Sequence, residues 1–305
     1  MSWWEKLQRW WSGPGPAPAS EPAFRERQVL CASAGGLHRM AYTEWGDPAN
    51  PKVLVCVHGL TRNGRDFDAL AQEMAGEYRV ICPDVVGRGR SEVLADKNAY
   101  GFPQYIADMV TLLARLDVTE VHWVGTSMGG LIGMFLASMA KTPITRLVLN
   151  DVGPLVTAES LRRIAEYVGK PVAFSSYREG EAYLRLIGAP FGEMDDAQWD
   201  NLCRYALQEG EDGLWRPAYD PGLAEPFRKT FVFQNVDLWP VYEGIACPTL
   251  VIRGAESDLL LRDTWQRMGE RGPKAQLAEV PGVGHAPMFQ TAGQIALVRE
   301  FLLQP

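Results

Sequence analysis

A chain of 305 residues is long enough to bury a generous core, as one large α/β domain carrying an insertion or as two domains. With 47% hydrophobic and 22% charged residues it has the composition of an ordinary soluble globular protein. Its net charge of -7 argues against nucleic acid as a partner, because neutralising phosphates requires a basic face. No stretch approaches the roughly 20 apolar residues of a membrane span, and the N-terminus has neither the apolar core nor the cleavage site of a secretory signal. Five cysteines, at 31, 56, 82, 203 and 247, form an odd and scattered set. Cys56 and Cys82 sit inside apolar runs, where a thiol behaves as a small hydrophobe, so the reading is a reducing, cytoplasmic setting. No Cys-X-X-Cys or His-Glu-X-X-His spacing occurs, which leaves a metal without obvious ligands.

In chain order, residues 1–12 place Trp3, Trp4, Leu7, Trp10 and Trp11 at helical spacing, and the Pro/Gly-rich stretch that follows to residue 22 reads as an extended linker. Such a stripe suits a weak anchor on a membrane or other apolar surface. The blander reading is a helix packed on the protein's own body or on a second subunit, or a frayed end.

From Arg25 to Trp45 two strand-like segments flank Ala34-Gly35-Gly36, a hairpin signal. Lys52–Val57 is a continuous apolar run, as expected of a strand buried on both faces. A helical pattern over Gly64–Ala75, a short strand at Tyr78–Cys82, a loop over Pro83–Ser91, a helix at Gln104–Leu116 and strands at Val121–Val124 and Arg146–Asn150 follow. This alternation predicts a mostly parallel sheet with helices on both faces.

After Asp151 the rhythm breaks for nearly a hundred residues. Helical patterns near 158–168, 177–187 and 196–208 are accompanied by crowded aromatics: Tyr167, Tyr177, Tyr183, Phe191, Trp199, Trp215, Phe227 and Trp239. So long a connection should not be a bare loop, and it reads as an inserted helical cap. Strand, helix and strand resume at Pro248–Arg253, Arg262–Gly269 and Ala275–Val280, with a closing helix at Ala292–Leu303. The expected division is an N-terminal segment (1–22), a body (23–153 and 246–305) and a helical cap (154–245).

The chemistry gathers at Gly125-Thr126-Ser127-Met128-Gly129, a Gly-X-Ser-X-Gly spacing between an apolar strand and a small-residue helix. In that context it reads as a nucleophile elbow, with Ser127 lifted above the sheet edge. A serine hydroxyl needs a base, and the base needs an orienting acid. Of the four histidines, His38 lies in the early hairpin, His122 is committed to one sheet face, and His58 belongs to a tight His-Gly turn suited to a structural role. His285, in the glycine-rich loop Pro281–Pro287 after the last strand, is the candidate base. The acid belongs to a loop between elbow and histidine: Asp258, after the strand ending at Arg253, is favoured, with Asp151 as the alternative. The backbone N–H groups of Leu60 and Met128 are the candidate oxyanion donors.

Taken together, His58-Gly59-Leu60, Asp84-Val85-Val86-Gly87-Arg88-Gly89-Arg90-Ser91, the elbow and Gly284-His285 resemble the α/β-hydrolase fold family, in particular its capped, carboxylesterase-like serine hydrolases. The resemblance spans roughly residues 30–303. It implies an eight-stranded sheet, a cap after the sixth strand and a Ser-Asp-His triad that needs no cofactor. One departure is visible: family members commonly carry the acid three residues beyond the glycine after strand seven, and here that position is Ser257. Serine at the elbow separates the chain from similar dehalogenases and epoxide hydrolases, which carry aspartate there. The expected activity is hydrolysis of small apolar or mixed carboxylic esters through an acyl-enzyme. Carbon–carbon bond hydrolysis of ring-cleavage products stands second, because Thr126 and Ala286 occupy places where such relatives often have asparagine and tryptophan. Enol-lactone hydrolysis and cofactor-free peroxidation are compatible with the same triad, and a hormone-type ligand receptor is the non-enzymatic alternative. No substrate-binding residue is assigned.

Overall fold

The computed structural model describes residues 24–226 and 234–304. The tryptophan stripe and Phe227 lie outside the described residues. An eight-stranded sheet organises the body, built from β1 (Phe24–Ser33), β2 (Gly36–Trp45), β3 (Val53–Val57), β4 (Arg79–Pro83), β5 (Val121–Thr126), β6 (Ile144–Asn150), β11 (Thr249–Gly254) and β12 (Gln276–Val280). The spatial order is β1-β2-β4-β3-β5-β6-β11-β12. Only β2 runs against the rest; from β4 to β12 every pairing is parallel. Parallel strands of this kind must be covered on both faces, and the sequence provides for it by making every residue of β3 apolar.

The period of two in the strands sorts those residues into two cores. Val53, Val55, Val57, Trp123, Leu147 and Leu149 face one way, onto α2 (Phe102–Leu116) and α3 (Met128–Ala137). Leu54, Cys56, Val124, Val148, Leu250 and Ile252 face the other, onto α1 (Asp68–Met74) and α10 (Ala292–Leu302). The expected helix over Gly64–Ala75 is divided, with a 3-10 turn at Gly64–Phe67 before α1, because Asn63 caps the turn by accepting from the Arg65 amide. All five cysteines are free, four of them buried. No helix among the described residues is long and apolar enough to cross a membrane.

Between β6 and β11 the chain leaves the sheet. It forms β7 (Leu155–Val156), α4 (Ala158–Tyr167), α5 (Tyr177–Ile187), α6 (Asp196–Ala206), a two-stranded ribbon of β8 (Leu207–Glu209) and β9 (Trp215–Pro217), the single turn α7 (Ala224–Pro226), β10 (Val236–Asp237) and α8 (Trp239–Glu243). The three helical patterns read from sequence coincide with α4, α5 and α6 to within two residues. The capping box of Asp195 and Gln198 fixes the start of α6. Phe174, Leu184, Trp199, Leu202, Cys203 and Leu207 bury against one another as a separate core, joined from the body by Met288. Helix α9 (Arg262–Met268) then connects β11 to β12.

Candidate active site

Strand β5 and helix α3 meet at Ser127 with almost no room between them. A Cβ at Gly125 would stand 2.3 Å from the Gly129 carbonyl oxygen, and one at Gly129 would stand 2.0 Å from the carbonyl oxygen of Val57 on β3. Glycine at both positions is therefore a steric requirement of the close strand–helix approach. Ser127 itself takes φ 52°, ψ -116°, a conformation that costs a non-glycine residue energy and holds its side chain above the C-terminal edge of the sheet. The Ser127 amide donates to the Asn150 carbonyl (3.0 Å) and the Gly129 amide to that of His58 (3.1 Å), so both neighbouring strands pin the turn.

The loop after β12 brings His285 over this turn. Its Nε2 lies 3.0 Å from Ser127 Oγ, and its Nδ1 lies 2.7 Å from Asp151 Oδ2. Asp151 follows β6 directly, has φ 53°, a region aspartate tolerates better than most residues, and is fully buried. Its Oδ1 accepts from the Gly254 amide (2.9 Å) and its Oδ2 also accepts from Ser257 Oγ (2.6 Å). The favoured acid, Asp258, is corrected by this geometry. Its side chain is 60% exposed and ion-paired with Arg163 of α4, while Asp151, the alternative, makes the contact with His285. The physical reason lies in Ser257. Buried behind β11, it turns inward to donate to Asp151 and to accept from the amides of Leu259 and Leu260, and the next residue is directed outward.

The other histidines occupy separate surroundings. His58 is completely buried; its Nε2 accepts from the Val85 amide (2.9 Å), so the proton sits on Nδ1, which donates to the Gly59 carbonyl (2.7 Å). Burial pushes its pKa down to about 3, helped by the nearby Arg88 and Arg62 charges, which fixes the ring as a neutral brace. His122 pairs with the Tyr78 hydroxyl (2.9 Å) and is lowered by burial to about 4. His38 contacts Asp108 (3.0 Å), and with Cys31 these form a buried group of metal-ligand type, in which Asp108 also accepts from Gln104.

A cavity of about 680 Å³ opens at Ser127 and His285. Gly59, Leu60 and Arg62 line it from the body, and Ile164, Tyr183 and Tyr219 from the insert. Leu60, the candidate oxyanion donor, is among the residues that line the cavity. Met128 is the first residue of α3, and the opening amides of a helix have no intrahelical acceptor. Of the aromatics crowding the insert, Tyr167, Tyr183 and Phe191 reach the cavity. Trp199 and Trp239 are buried, and Tyr177 packs edge-on against Trp215.

Sequence reasoning passed over three residues. Asn150 donates from Nδ2 both to Thr126 Oγ1 (2.9 Å) and to the Pro287 carbonyl (2.8 Å), tying the elbow to the histidine loop. Ser257 was visible only as a departure from the family pattern. Arg88 lies in a motif taken as a loop, yet its side chain is 1% exposed and donates to the Leu60 carbonyl (2.8 Å).

Comparison with known proteins agrees with this architecture. Residues 54–296 match the model of the alpha/beta hydrolase family. The chain is 55% identical over 280 residues to a 3-hydroxybutyrate-oligomer hydrolase from Cupriavidus necator, covering 90% of this chain and 96% of that protein. Among solved structures, a protein from Rickettsia typhi superimposes with a TM-score of 0.86 at 33% identity, covering 92% of this chain and 99% of that one. An alpha/beta hydrolase from Novosphingobium aromaticivorans gives 0.82 at 36% identity, covering 93% and 99% respectively.

Proposed function

The chain belongs to the alpha/beta hydrolase family and is a hydrolytic enzyme, and on that footing we propose that it cleaves carboxylic esters through an acyl-enzyme on Ser127, with short oligomers of a hydroxy acid as its substrate class. The observation that carries the reading is the continuous hydrogen-bond chain from Ser127 Oγ through His285 to buried Asp151, set in a cavity wall. The substrate class is suggested by the extended likeness to the 3-hydroxybutyrate-oligomer hydrolase.

In the proposed mechanism His285 Nε2 accepts the Ser127 proton as Oγ attacks the ester carbonyl, and then returns it to the departing hydroxyl. Asp151 keeps the other imidazole proton on Nδ1 and stabilises the imidazolium. The amides of Leu60 and Met128 receive the charge that develops on the carbonyl oxygen. Water, deprotonated by the same histidine, releases the acyl group. The stretch 154–245 serves as the cap that walls the substrate pocket, with Tyr183, Tyr219 and Ile187 among the insert residues that line it.

The test is release of monomer from 3-hydroxybutyrate dimer and trimer by purified enzyme, followed by chromatography beside hydrolysis of a short p-nitrophenyl ester. Ser127→Ala is expected to lose both activities, by about 10⁴-fold or more. Retention of either by that variant would remove Ser127 from the mechanism. Hydrolysis of the aryl ester without any cleavage of the oligomers would leave the mechanism standing and reject the substrate class.

A further inference from the structure

The buried guanidinium of Arg88 is surrounded by neutral groups. Its Nε donates to the Leu60 carbonyl (2.8 Å), one terminal nitrogen to the Val86 carbonyl (2.7 Å), and the other to the Tyr105 hydroxyl (3.1 Å) and the Met128 sulfur (3.4 Å). Its charge also lies 4.8 Å from the ring centroid of Tyr105. Among the described residues no carboxylate stands within ion-pair distance of it. A cation withdrawn from water without an opposite charge is expensive, and carbonyl dipoles and aromatic faces offset only part of the cost.

Two of those contacts fall on Leu60 and Met128, the residues whose amides the proposed mechanism assigns to the developing oxyanion. The bond to the Leu60 carbonyl holds the turn after β3, and the contact to Met128 holds the first residue of α3. We propose that Arg88 is the positioning residue of the oxyanion hole, which sets the two donors at their working separation and supplies the buried positive charge that the tetrahedral intermediate balances. The inference rests on the catalytic reading of Ser127 given above.

Arg88 is in turn seated by the insert. Its backbone pairs with Tyr219 in an isolated bridge, the Gly89 amide donates to the Ala218 carbonyl (2.9 Å), and the Asp220 amide donates to that of Gly87 (2.8 Å). Asp220 is held to the body by the Tyr100 hydroxyl (2.7 Å) and by an ion pair with Lys97. Tyr219 lines the cavity, so the strip that contacts substrate is the strip that fixes Arg88.

The experiment compares wild-type enzyme with Arg88→Met, Arg88→Lys and Met128→Leu on a p-nitrophenyl ester. Rates are expressed per serine titrated to completion by a fluorophosphonate, so that loss of folded protein does not enter and slower labelling of a variant does not mask its defect. Arg88→Met is expected to lower kcat about 10²-fold with KM within about threefold, and to weaken an alkyl boronic acid in parallel. That inhibitor reports the intermediate because Ser127 Oγ bonds to boron, its proton passes to His285, and boron becomes anionic and tetrahedral. Arg88→Lys should recover part of the loss, since it keeps the charge without the fork. Wild-type kcat and boronate affinity per labelled serine in Arg88→Met would overturn the proposal, as would equal losses of kcat and of substrate affinity. Should the arginine variants fail to fold, Met128→Leu decides: a kcat reduced several-fold at constant KM supports the positioning role, and unchanged kcat and boronate affinity refute it. Absence of fluorophosphonate labelling in the wild type would instead reject the catalytic reading itself.

Discussion

Two neighbouring strand ends, those of β6 and β11, each present an aspartate near the active site, in opposite circumstances. Asp151 is fully buried and receives three donors, from Gly254, Ser257 and His285. Asp258 stands at the cavity wall, 60% exposed, with its charge answered by Arg163. A carboxylate that orients an imidazole must be fixed in direction and shielded from water, because solvent screens an exposed charge and leaves its side chain free to turn. The strands are adjacent in register, Ile252 beside Asn150, so either end lies within reach of one histidine loop. What separates them is burial, and Ser257 decides it by occupying the inward position in the loop after β11 and giving its hydrogen bond to the carboxylate that follows β6.

The comparison can be broken most severely at Asp151. Asp151→Asn should lower kcat by about 10³–10⁴-fold on any ester substrate, because an amide no longer enforces the productive imidazole tautomer. Loss of less than tenfold would return the acid's role to another group. A smaller change is expected from Ser257→Ala, which removes one donor to Asp151: kcat should fall about tenfold with KM little altered. That variant also frees the amides of Leu259 and Leu260, so a lower melting temperature should accompany it. Least of all should follow from Asp258→Asn, where an exposed ion pair is lost and kcat should stay within about twofold of wild type. A loss from Asp258→Asn that equals or exceeds the loss from Asp151→Asn would reverse the comparison.

The legible parts of this molecule were those set by local rules. Apolar runs and helical periodicity located the strands and helices of the body and the three long helices of the insert to within a few residues, and the glycines around Ser127 announced a crowded turn, while the short strands of the insert went unread. His285 emerged by eliminating three histidines whose local surroundings assigned them elsewhere. The acid was misassigned because both aspartates follow strands and obey the same positional rule, and nothing in their spacing encodes which one is buried. Burial arises from long-range packing, here the Ser257 hydroxyl reaching across 106 positions in sequence to Asp151. Asn150 and Arg88 escaped notice for the same reason, since their partners at Pro287 and Leu60 are neighbours only in the folded chain. Some aromatics of the insert line the cavity and others pack the insert, and composition alone did not sort them.

The neutral ring of His58 has a consequence for the whole protein in acid. Its pKa of about 3, and that of about 4 for His122, lie below the ordinary 6.5, so the folded state refuses protons that the unfolded chain accepts. Unfolding therefore takes up as many as two protons at these rings in that interval, and the stability they contribute declines as pH falls from about 6.5 toward 3. Thermal melts at pH 8, 7, 6 and 5 should show a melting temperature that declines below neutrality, and an unchanged value at pH 5 would contradict the assignment. Each ester bond cleaved by the proposed reaction releases a carboxylic acid, so in a weakly buffered solution the catalyst would erode its own fold as product accumulates.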